Sequence, residues 1–379
     1  MSGENQNKPR RILIAGASAR AATQSAMRAG FDALAVDLFA DVDLREIAEC
    51  ARIDKYPADF AAVFAESGLP LVFTGGLENY PAIVARAHSV LGNGPEVLKQ
   101  TRDPFRWTPL LQSHGFETAA IHQADDRPAS MDGWLIKNRS GAGGGHVRST
   151  GDAETGDYFQ QFVPGLPCSA VFVGSDEGCF FVGASYQLVA PVGDSQFNYW
   201  GSVGPVTLPD GLGETAQRIG EVLSSELRIR GLFGVDFILT DSGLIPVEIN
   251  PRYTASVEVH EIGHEASLFG AHVAACESQA AFDWPDSDTR TRVAKVILYS
   301  QQDRIAPHLL EHRQVSPDCW LADIPDPGSS IPAGAPICTM LARGQSIHDC
   351  ARLVTTHSNR LGLLTVQQAW RLQMQFDRL

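Results

Sequence analysis

Short apolar runs separated by glycine and acidic residues recur through the first hundred residues. Arg11–Ala15 has the pattern of a strand, and a helical stretch over Ala19–Ala29 follows it and ends at a glycine. Ala33–Val36 and Leu71–Phe73 are two further apolar runs that end at polar or small residues. A strand, a glycine turn, a helix and another strand in this order predict a βαβ unit with parallel strands. We therefore expect a small α/β domain over residues 1–97.

The carboxyl ends of these strands carry small and polar residues. Ligands of open α/β sheets bind at that edge. The sequence places there Ser18, Arg20, Asp37, Gly75, Gly76 and Glu78. We predict a substrate pocket formed by Ser18, Arg20, Gly75 and Glu78. The alternative is that the glycines only form turns and that Arg20 caps or solvates a helix. The first turn reads GASAR, so a GxGxxG dinucleotide site is weakly supported.

A strand that ends in a lysine precedes a glycine-rich loop. Trp134–Lys137 is apolar up to its last residue, and the loop GAGGGHV follows three polar residues later. Glycine lets backbone N–H groups approach phosphate oxygens closely, and Lys137 would add a positive charge. The loop is not a P-loop, because no Gly-Lys-Ser/Thr follows it. We predict phosphate binding here, the alternative being a flexible hairpin tip. The loop residues concerned are Gly141, Gly143, Gly144 and Gly145.

The next segments are further strands. Tyr158–Val163 is stopped by a Pro-Gly turn, and Ser169–Val173 with Cys179–Leu188 predicts an antiparallel pair. The backbone of an apolar strand edge can hydrogen-bond an adenine, and Phe162 with Val163 is the candidate for that edge.

Acidic side chains interrupt a pair of apolar runs between residues 231 and 256. Leu232–Leu239 and Leu244–Ile249 are joined by a polar turn, which predicts a hairpin. Residues two apart in a strand share a face, so Glu248 and Asn250 point the same way. Pairing about the turn brings Asp236 close to them.

Two carboxylates and an amide oxygen suit Mg²⁺, so Asp236, Glu248 and Asn250 are predicted metal ligands. Arg252 follows, where its guanidinium could bind a phosphate bidentately. The alternative is an ordinary surface hairpin with solvated acids. His260, Glu261 and His264 match the H-E-x-x-H zinc spacing. A structural or substrate-facing helix is the preferred interpretation, and Glu258 and His260 could equally line the acceptor pocket.

Composition excludes several classes of partner. The chain has 379 residues and a net charge of −14, and no basic cluster exceeds Arg10–Arg11. Nucleic acid is therefore not an expected partner. No run is long enough for a membrane span, and the polar N-terminus lacks the apolar core of a signal peptide. Seven cysteines without a CxxC pair indicate free thiols in a reducing compartment, so a cytoplasmic protein is expected.

The C-terminal segment mixes strand and helix patterns. Val293–Tyr299 and Pro336–Leu341 are predicted strands, and Lys295 within the first is assigned a structural role. Ser346–Arg360 is amphipathic at helical spacing, and Gln367–Leu379 is a predicted helix.

Together, and in this order, these segments resemble the ATP-grasp superfamily, whose members hold ATP between two α+β lobes. The resemblance rests on IKNRSGAGGGHV at 136–147, QQFVPGLPCS at 160–169, and GLFGVDFIL with GLIPVEINPR between 231 and 252. It implies a mixed α+β and α/β class with the ATP-grasp fold. A Rossmann-like pre-ATP-grasp domain would cover 1–97 and the ATP-grasp domain 98–285, with its lid at about 125–165. A small β-rich cap and helix would cover 286–379.

The resemblance also assigns roles to the residues that match its motifs. Lys137 and Arg252 would be the catalytic cations, and Gly141–Gly145 the loop that closes over the phosphates. Gln161, Phe162 and Val163 would bind adenine through their backbone. Arg102, or alternatively Lys99, would be the second phosphate contact. Cys168 or a neighbour stands where an acidic residue usually holds the ribose.

Within that superfamily the sequence resembles ligases related to biotin carboxylase, among them tyramine–glutamate ligase of methanofuran synthesis. This resemblance implies an ATP- and Mg²⁺-dependent carboxylate–amine ligase, with Mn²⁺ as a substitute, that forms an amide through an acylphosphate. The partners would be a small carboxylic acid and an amine in C1-carrier synthesis, and dimers are common in such proteins. The alternatives are a carboxylase-type or kinase-type enzyme and a non-catalytic nucleotide-binding module. No Met-Lys-Met motif is present, so no attached biotin is expected.

Overall fold

The computed structural model describes residues 9–278, 284–285 and 289–379. The polar start of the chain, residues 1–8, lies outside the described residues, and so does the first part of the predicted C-terminal segment, residues 286–288. Within the described residues, no helix has the length and apolarity that crossing a bilayer requires.

The N-terminal segment is a parallel sheet with the strand order β3-β2-β1-β4-β5. Its strands are β1 (Arg11–Gly16), β2 (Asp32–Asp37), β3 (Glu49–Arg52), β4 (Pro70–Phe73) and β5 (Ser89–Val90). Its helices are α1 (Arg20–Arg28), α2 (Val42–Arg45), α3 (Phe60–Glu66) and α4 (Pro81–Val84). Alternate residues of β1 enter different cores: Ile12 packs in one cluster and Leu13 in another. Both faces of the sheet are therefore covered, as parallel sheets require.

Two helices lead into a small antiparallel sheet with the order β6-β9-β7-β8. The helices are α5 (Pro95–Thr101) and α6 (Pro104–Ser113), separated where Pro104 starts the second. The strands are β6 (Ile121–Gln123), β7 (Trp134–Asn138), β8 (Val147–Arg148) and β9 (Asp157–Gln161).

A long antiparallel sheet contains most of the remaining strands, in the order β14-β13-β10-β11-β12-β15-β20-β18-β17. Its first strands are β10 (Leu166–Gly174), β11 (Cys179–Val192), β12 (Ser195–Val206), β13 (Gly231–Thr240) and β14 (Gly243–Asn250). The helices α7 (Leu212–Leu227), α8 (Ala255–His264) and α9 (Phe269–Cys276) pack on it. Pro246 is tolerated in β14 because that strand is an edge.

Four C-terminal strands continue this same sheet, namely β15 (Arg292–Tyr299), β17 (Gln314–Ser316), β18 (Cys319–Ala322) and β20 (Pro336–Gly344). The strands β16 (Arg304–Ile305) and β19 (Ser330–Ile331) pair with each other in a separate two-stranded sheet. Helices α10 (Ile347–Arg360) and α11 (Val366–Asp377) follow. The pairing of β12 with β15, for example Ser202 opposite Lys295, makes the connection. The segment expected as a cap therefore shares the sheet of the central part.

Candidate active site

The β13–β14 hairpin brings the predicted metal ligands together. Asp236 lies opposite Glu248, and Asn250 lies opposite Gly234. Opposed residues of an antiparallel pair point to the same face, so the three side chains converge. Asn250 Nδ2 donates to Asp236 Oδ2 over 3.1 Å. Gln187 of β11 joins the group, because its Nε2 donates to Asp236 Oδ1 over 2.9 Å.

The two carboxylates differ in their charge environment. Burial, reinforced by the charge of Glu248, raises the pKa of Asp236. Burial also opposes ionisation of Glu248, but the cations of Arg102 and Lys137 outweigh it and lower the pKa of Glu248. Proton uptake by this pair therefore falls first on Asp236.

The donor set fits a hard divalent cation. It offers two carboxylates and an amide oxygen, which Mg²⁺ prefers over the nitrogen and sulfur ligands of zinc sites. In the part of the chain that the structure describes, no group of three or more His, Cys, Asp or Glu side chains could hold a metal. A cation here would therefore share its shell with other oxygens, such as those of a phosphate.

Lys137 reaches the same place from β7. Its Nζ donates to Gln160 Oε1 and to the carbonyl of Val247, each over 3.1 Å. Asp236 of β13 pairs with Glu248, and the next residue, Phe237, pairs with Pro246. Val247 is therefore skipped, as at a β-bulge, and its carbonyl is available to Lys137. Lys137 is buried, so its ammonium depends on these acceptors and on the nearby acids.

The glycine-rich loop lies against the β11–β12 hairpin. The backbone N–H of Tyr199 donates to the Gly143 carbonyl over 3.0 Å. Gly144 has φ +79°, and a Cβ there would be 1.8 Å from the carbonyl oxygen of Phe197. Only glycine permits this approach. Backbone contacts with β12 therefore fix the position of the loop against the β11–β12 hairpin.

These groups surround one cavity of about 410 Å³. That size is typical of small-molecule sites. Predicted residues in its wall are Lys137, Gly143, Gly144, Gln161, Phe162, Val163, Asp236, Glu248, Asn250 and Arg252. Gly141 and Gly145 are not part of this wall.

The predicted adenine segment forms the other end of the cavity. The N–H groups of Gln161 and Phe162 donate to the carbonyls of Ala120 and Gly133, each over 2.8 Å. Within the described residues the Val163 N–H has no partner, so it is the one left for a base. Cys168 is buried in the core with Trp107 and Phe172, which excludes it as a ribose contact.

Two arginines hold the site together in different ways. The Arg102 guanidinium donates to Glu248 Oε1 over 2.7 Å and to the carbonyl of Gly141 over 2.6 Å. It lies outside the wall of the main cavity, whereas Lys99 pairs with Glu96 on the surface. Arg252 lines the cavity, and its Nε donates to Glu78 Oε1 over 2.8 Å.

The four N-terminal residues predicted as a substrate pocket separate into two groups. Gly75 and Glu78 adjoin the site, since Gly75 lies against the Arg252 guanidinium. Arg20 is 1% exposed and forms ion pairs with Glu258 and Asp323, so it is not free to hold a ligand. Ser18 is exposed, and its carbonyl accepts a hydrogen bond from Thr74. The Arg20 prediction is corrected because burial requires that charge to be paired.

The H-E-x-x-H segment of α8 is part of the protein core. His260 is fully buried against Gly183, and burial lowers its pKa to about 3. Glu261 instead accepts hydrogen bonds from Ser25, Arg28 and Tyr253. Glu258 is held by Arg20 and by Lys295, whose Nζ lies 2.6 Å from Glu258 Oε2. The segment therefore does not gather zinc ligands, and Lys295 is structural.

The central part of the chain is similar to a known family of domains. Residues 102–256 match the model of the ATP-grasp domain. This segment is an ATP-grasp domain. The match contains Lys137, the glycine-rich loop and the β13–β14 hairpin. A relative from Methanocaldococcus jannaschii, itself uncharacterised, is 25% identical over 271 residues. That alignment covers 67% of this chain and 64% of the relative, so the chain spans less than two thirds of the relative's length.

Solved structures with the ATP-grasp fold cover nearly the whole chain. The biotin carboxylase domain dimer of Hydrogenobacter thermophilus 2-oxoglutarate carboxylase, in complex with MgADP, ADP and bicarbonate, has a TM-score of 0.70 at 11% identity. The alignment covers 97% of this chain and 98% of the crystallised chain. A second structure is N5-carboxyaminoimidazole synthase of Aspergillus clavatus in complex with ADP and 5-aminoimidazole ribonucleotide. It has a TM-score of 0.69 at 14% identity, and the alignment covers 98% of this chain and 100% of that chain. Such identities show the fold alone, and they confirm the ATP-grasp fold expected from the sequence.

Several cavity residues were not found from the sequence. They are Gln160, Ser169, Gln187, Tyr199, Ser202, Ser256, Gln375 and Arg378. Gln187 lies two residues from Ser185 on one face of β11, and such polar alternation in an apolar strand is a usable signal. The α11 residues gave no signal, because their place depends on long-range packing.

Proposed function

We propose that the protein is an ATP- and Mg²⁺-dependent ligase that joins a carboxylic acid to an amine. The observation that carries the proposal is the convergence of Asp236, Glu248 and Asn250 with Lys137 in one cavity under Gly143 and Gly144. Their chemistry suits a triphosphate and a divalent cation. The crystallised relatives bound to ADP or MgADP support the same ligand.

Each residue has a distinct part in the proposed reaction. Mg²⁺, when held by Asp236, Glu248 and Asn250, would neutralise charge on the β- and γ-phosphates. Lys137 and Arg252 hold phosphate oxygens, and Glu78 and Asn250 orient the Arg252 guanidinium. Gly143 and Gly144 cover the phosphates and exclude water.

The bond changes follow from that arrangement. A carboxylate oxygen of the acid forms a bond to the γ-phosphorus while the bond to ADP breaks, giving an acylphosphate. The amine nitrogen then forms a bond to the acyl carbon, phosphate leaves, and the amine releases a proton. Positioning and electrostatics supply most of the acceleration, so no nucleophilic side chain is required.

Product analysis tests this proposal. The protein is incubated with Mg²⁺, ATP, ¹⁸O-labelled glutamate and tyramine, the pair suggested by the sequence resemblance, and then with panels of other acids and amines. We expect ADP rather than AMP, one ¹⁸O atom in the released phosphate and an amide of the predicted mass. Release of AMP, or phosphate without the label during amide formation, would contradict an acylphosphate. A role in the synthesis of a methanofuran-like cofactor stays a prediction, and the reaction with glutamate and tyramine tests it.

A carboxylase is the second candidate, because a crystallised relative binds bicarbonate. Its test uses ¹⁴C-bicarbonate in place of the acid, with the same amines. Acid-labile ¹⁴C in the product, together with no amide from any organic acid, would favour this candidate over the ligase.

A further inference from the structure

The C-terminal helix α11 forms part of the cavity wall. Gln375 and Arg378, from its last turn and its C-cap, line the same cavity as Lys137 and Asp236. Across residues 9–278, 284–285 and 289–379, neither the Arg378 guanidinium nor the Gln375 amide has a hydrogen-bond or ion-pair partner. Two polar side chains thus enter the wall without a protein partner, Arg378 as an exposed residue and Gln375 as a half-buried one.

The strand register fixes the positions along the cavity. On β10, Leu166 at the adenine end lies opposite Leu239, and Ser169 lies opposite Asp236 at the metal end. Three residues of strand span about 10 Å. If the base lies at Val163 and the triphosphate at Asp236, the sugar lies between them, over the middle of β10.

The neighbouring strand β11 forms the side wall at that level. Tyr186 lies opposite Cys168, so Val189 continues toward the adenine end, whereas the Gln187 side chain reaches back to Asp236, and both residues line the cavity. Helix α11 packs against β11. Phe376 of α11 belongs to the same apolar cluster as Leu188 and Ala190, the neighbours of Val189, which places the adjacent Gln375 and Arg378 toward the nucleoside half of the cavity.

We propose that Gln375 and Arg378 bind the ribose hydroxyls of the nucleotide. This inference rests on the proposed ATP-binding function. A guanidinium offers only donors, and an amide offers a donor and an acceptor. The pair therefore complements a vicinal diol, whose hydroxyls both accept and donate. Cys168 cannot perform this role because it is buried in the core.

Nucleotide analogues separate this role from simple attraction of phosphates. Affinities for ATP and for 2′,3′-dideoxy-ATP, each with Mg²⁺, are measured by calorimetry for the wild type, Arg378→Ala and Gln375→Ala. Arg371→Ala, on the same helix but outside the cavity wall, is the matched control. Thermal unfolding of each variant checks that α11 remains docked.

We expect Arg378→Ala and Gln375→Ala each to lower the affinity for ATP about ten-fold and to leave the affinity for dideoxy-ATP unchanged. Arg371→Ala should change neither affinity. Equal weakening of both nucleotides, or no weakening, would overturn the inference while leaving the ligase proposal intact. A wild-type chain that binds neither nucleotide would overturn the proposed function, and this inference with it.

Discussion

At the scale of single residues, the site depends on two carboxylates with different tendencies to ionise. Glu248 is kept ionised by Arg102 and Lys137, whereas burial and the charge of Glu248 favour the protonated form of Asp236. A divalent cation requires both acids to be deprotonated. Metal binding should therefore be governed by Asp236.

We predict that Mg²⁺-dependent nucleotide binding weakens as the pH falls from 8 into the mildly acidic range. The pKa of Asp236 is raised, so this carboxylate takes up a proton above the usual range for aspartate and competes with the metal. Calorimetric titration of Mg·ATP between pH 5 and 8 measures the effect. Affinity that stays constant from pH 8 down to pH 5 would contradict it.

We predict that Asp236→Asn and Glu248→Gln each reduce ATP turnover by about 10²–10³-fold, because each removes a charged ligand from the site. Asp241→Asn, in the exposed turn of the same hairpin, is the matched control and should leave ATP turnover unchanged. Activity is assayed as ADP release at several Mg²⁺ concentrations. Full activity in either cavity variant would remove the metal assignment.

At the scale of elements, the glycine-rich loop and the hairpins explain how remote strands share one cavity. The β13–β14 hairpin could be predicted because its two strands are adjacent in sequence and their turn sets the register. The contact of Gly144 with Phe197 could not, because nothing in the local pattern indicates where the loop lies.

We predict that Gly144→Ala lowers ATP turnover at least ten-fold more than Gly143→Ala. Both residues have positive φ, so both substitutions carry the same kind of backbone strain. Only at Gly144 does the added Cβ collide with the Phe197 carbonyl, and at Gly143 nothing lies within 4 Å. Steady-state kinetics compares them, and hydrogen exchange of residues 141–147 reports the position of the loop. Equal losses in the two variants would show that docking on β12 is unimportant.

At the scale of the whole molecule, a buried ionic group joins the N-terminal segment to the rest of the chain. Arg20 of α1 donates to both oxygens of Glu258 on α8, over 2.7 and 3.0 Å, and to Asp323 after β18 over 2.7 Å. Lys295 completes the group. Burial opposes ionisation of Glu258, but Arg20 and Lys295 outweigh it and lower its pKa.

We predict that Arg20→Ala destabilises the protein by about 3–5 kcal/mol, because it leaves buried carboxylates without their partner. Since the pKa of Glu258 is lowered on folding, this stabilisation is complete above the usual carboxylate pKa and is lost as the pH falls below it. Arg45→Ala removes an exposed ion pair with Asp326 between the same segments and should cost less than about 1 kcal/mol. Urea denaturation at pH 7 compares the two, and similar losses would contradict the assignment.

The sequence could reveal the chemistry of the site but not its long-range partners. Asp236, Glu248 and Asn250 were predicted together because strand periodicity is local. Arg20 pairs with Glu258 across 238 positions, and Glu78 with Arg252 across 174, so a strand-end position alone could not tell which residue was free. The extension of the central sheet through β15 is likewise a tertiary choice that no local pattern records.

The most direct test of the account is a crystal structure with Mg²⁺ and a non-hydrolysable ATP analogue. We predict a cation bound by Asp236, Glu248 and Asn250, a triphosphate in contact with Lys137 beneath Gly143 and Gly144, and the base at Val163. A nucleotide bound elsewhere, or a metal that contacts none of those three side chains, would contradict the account.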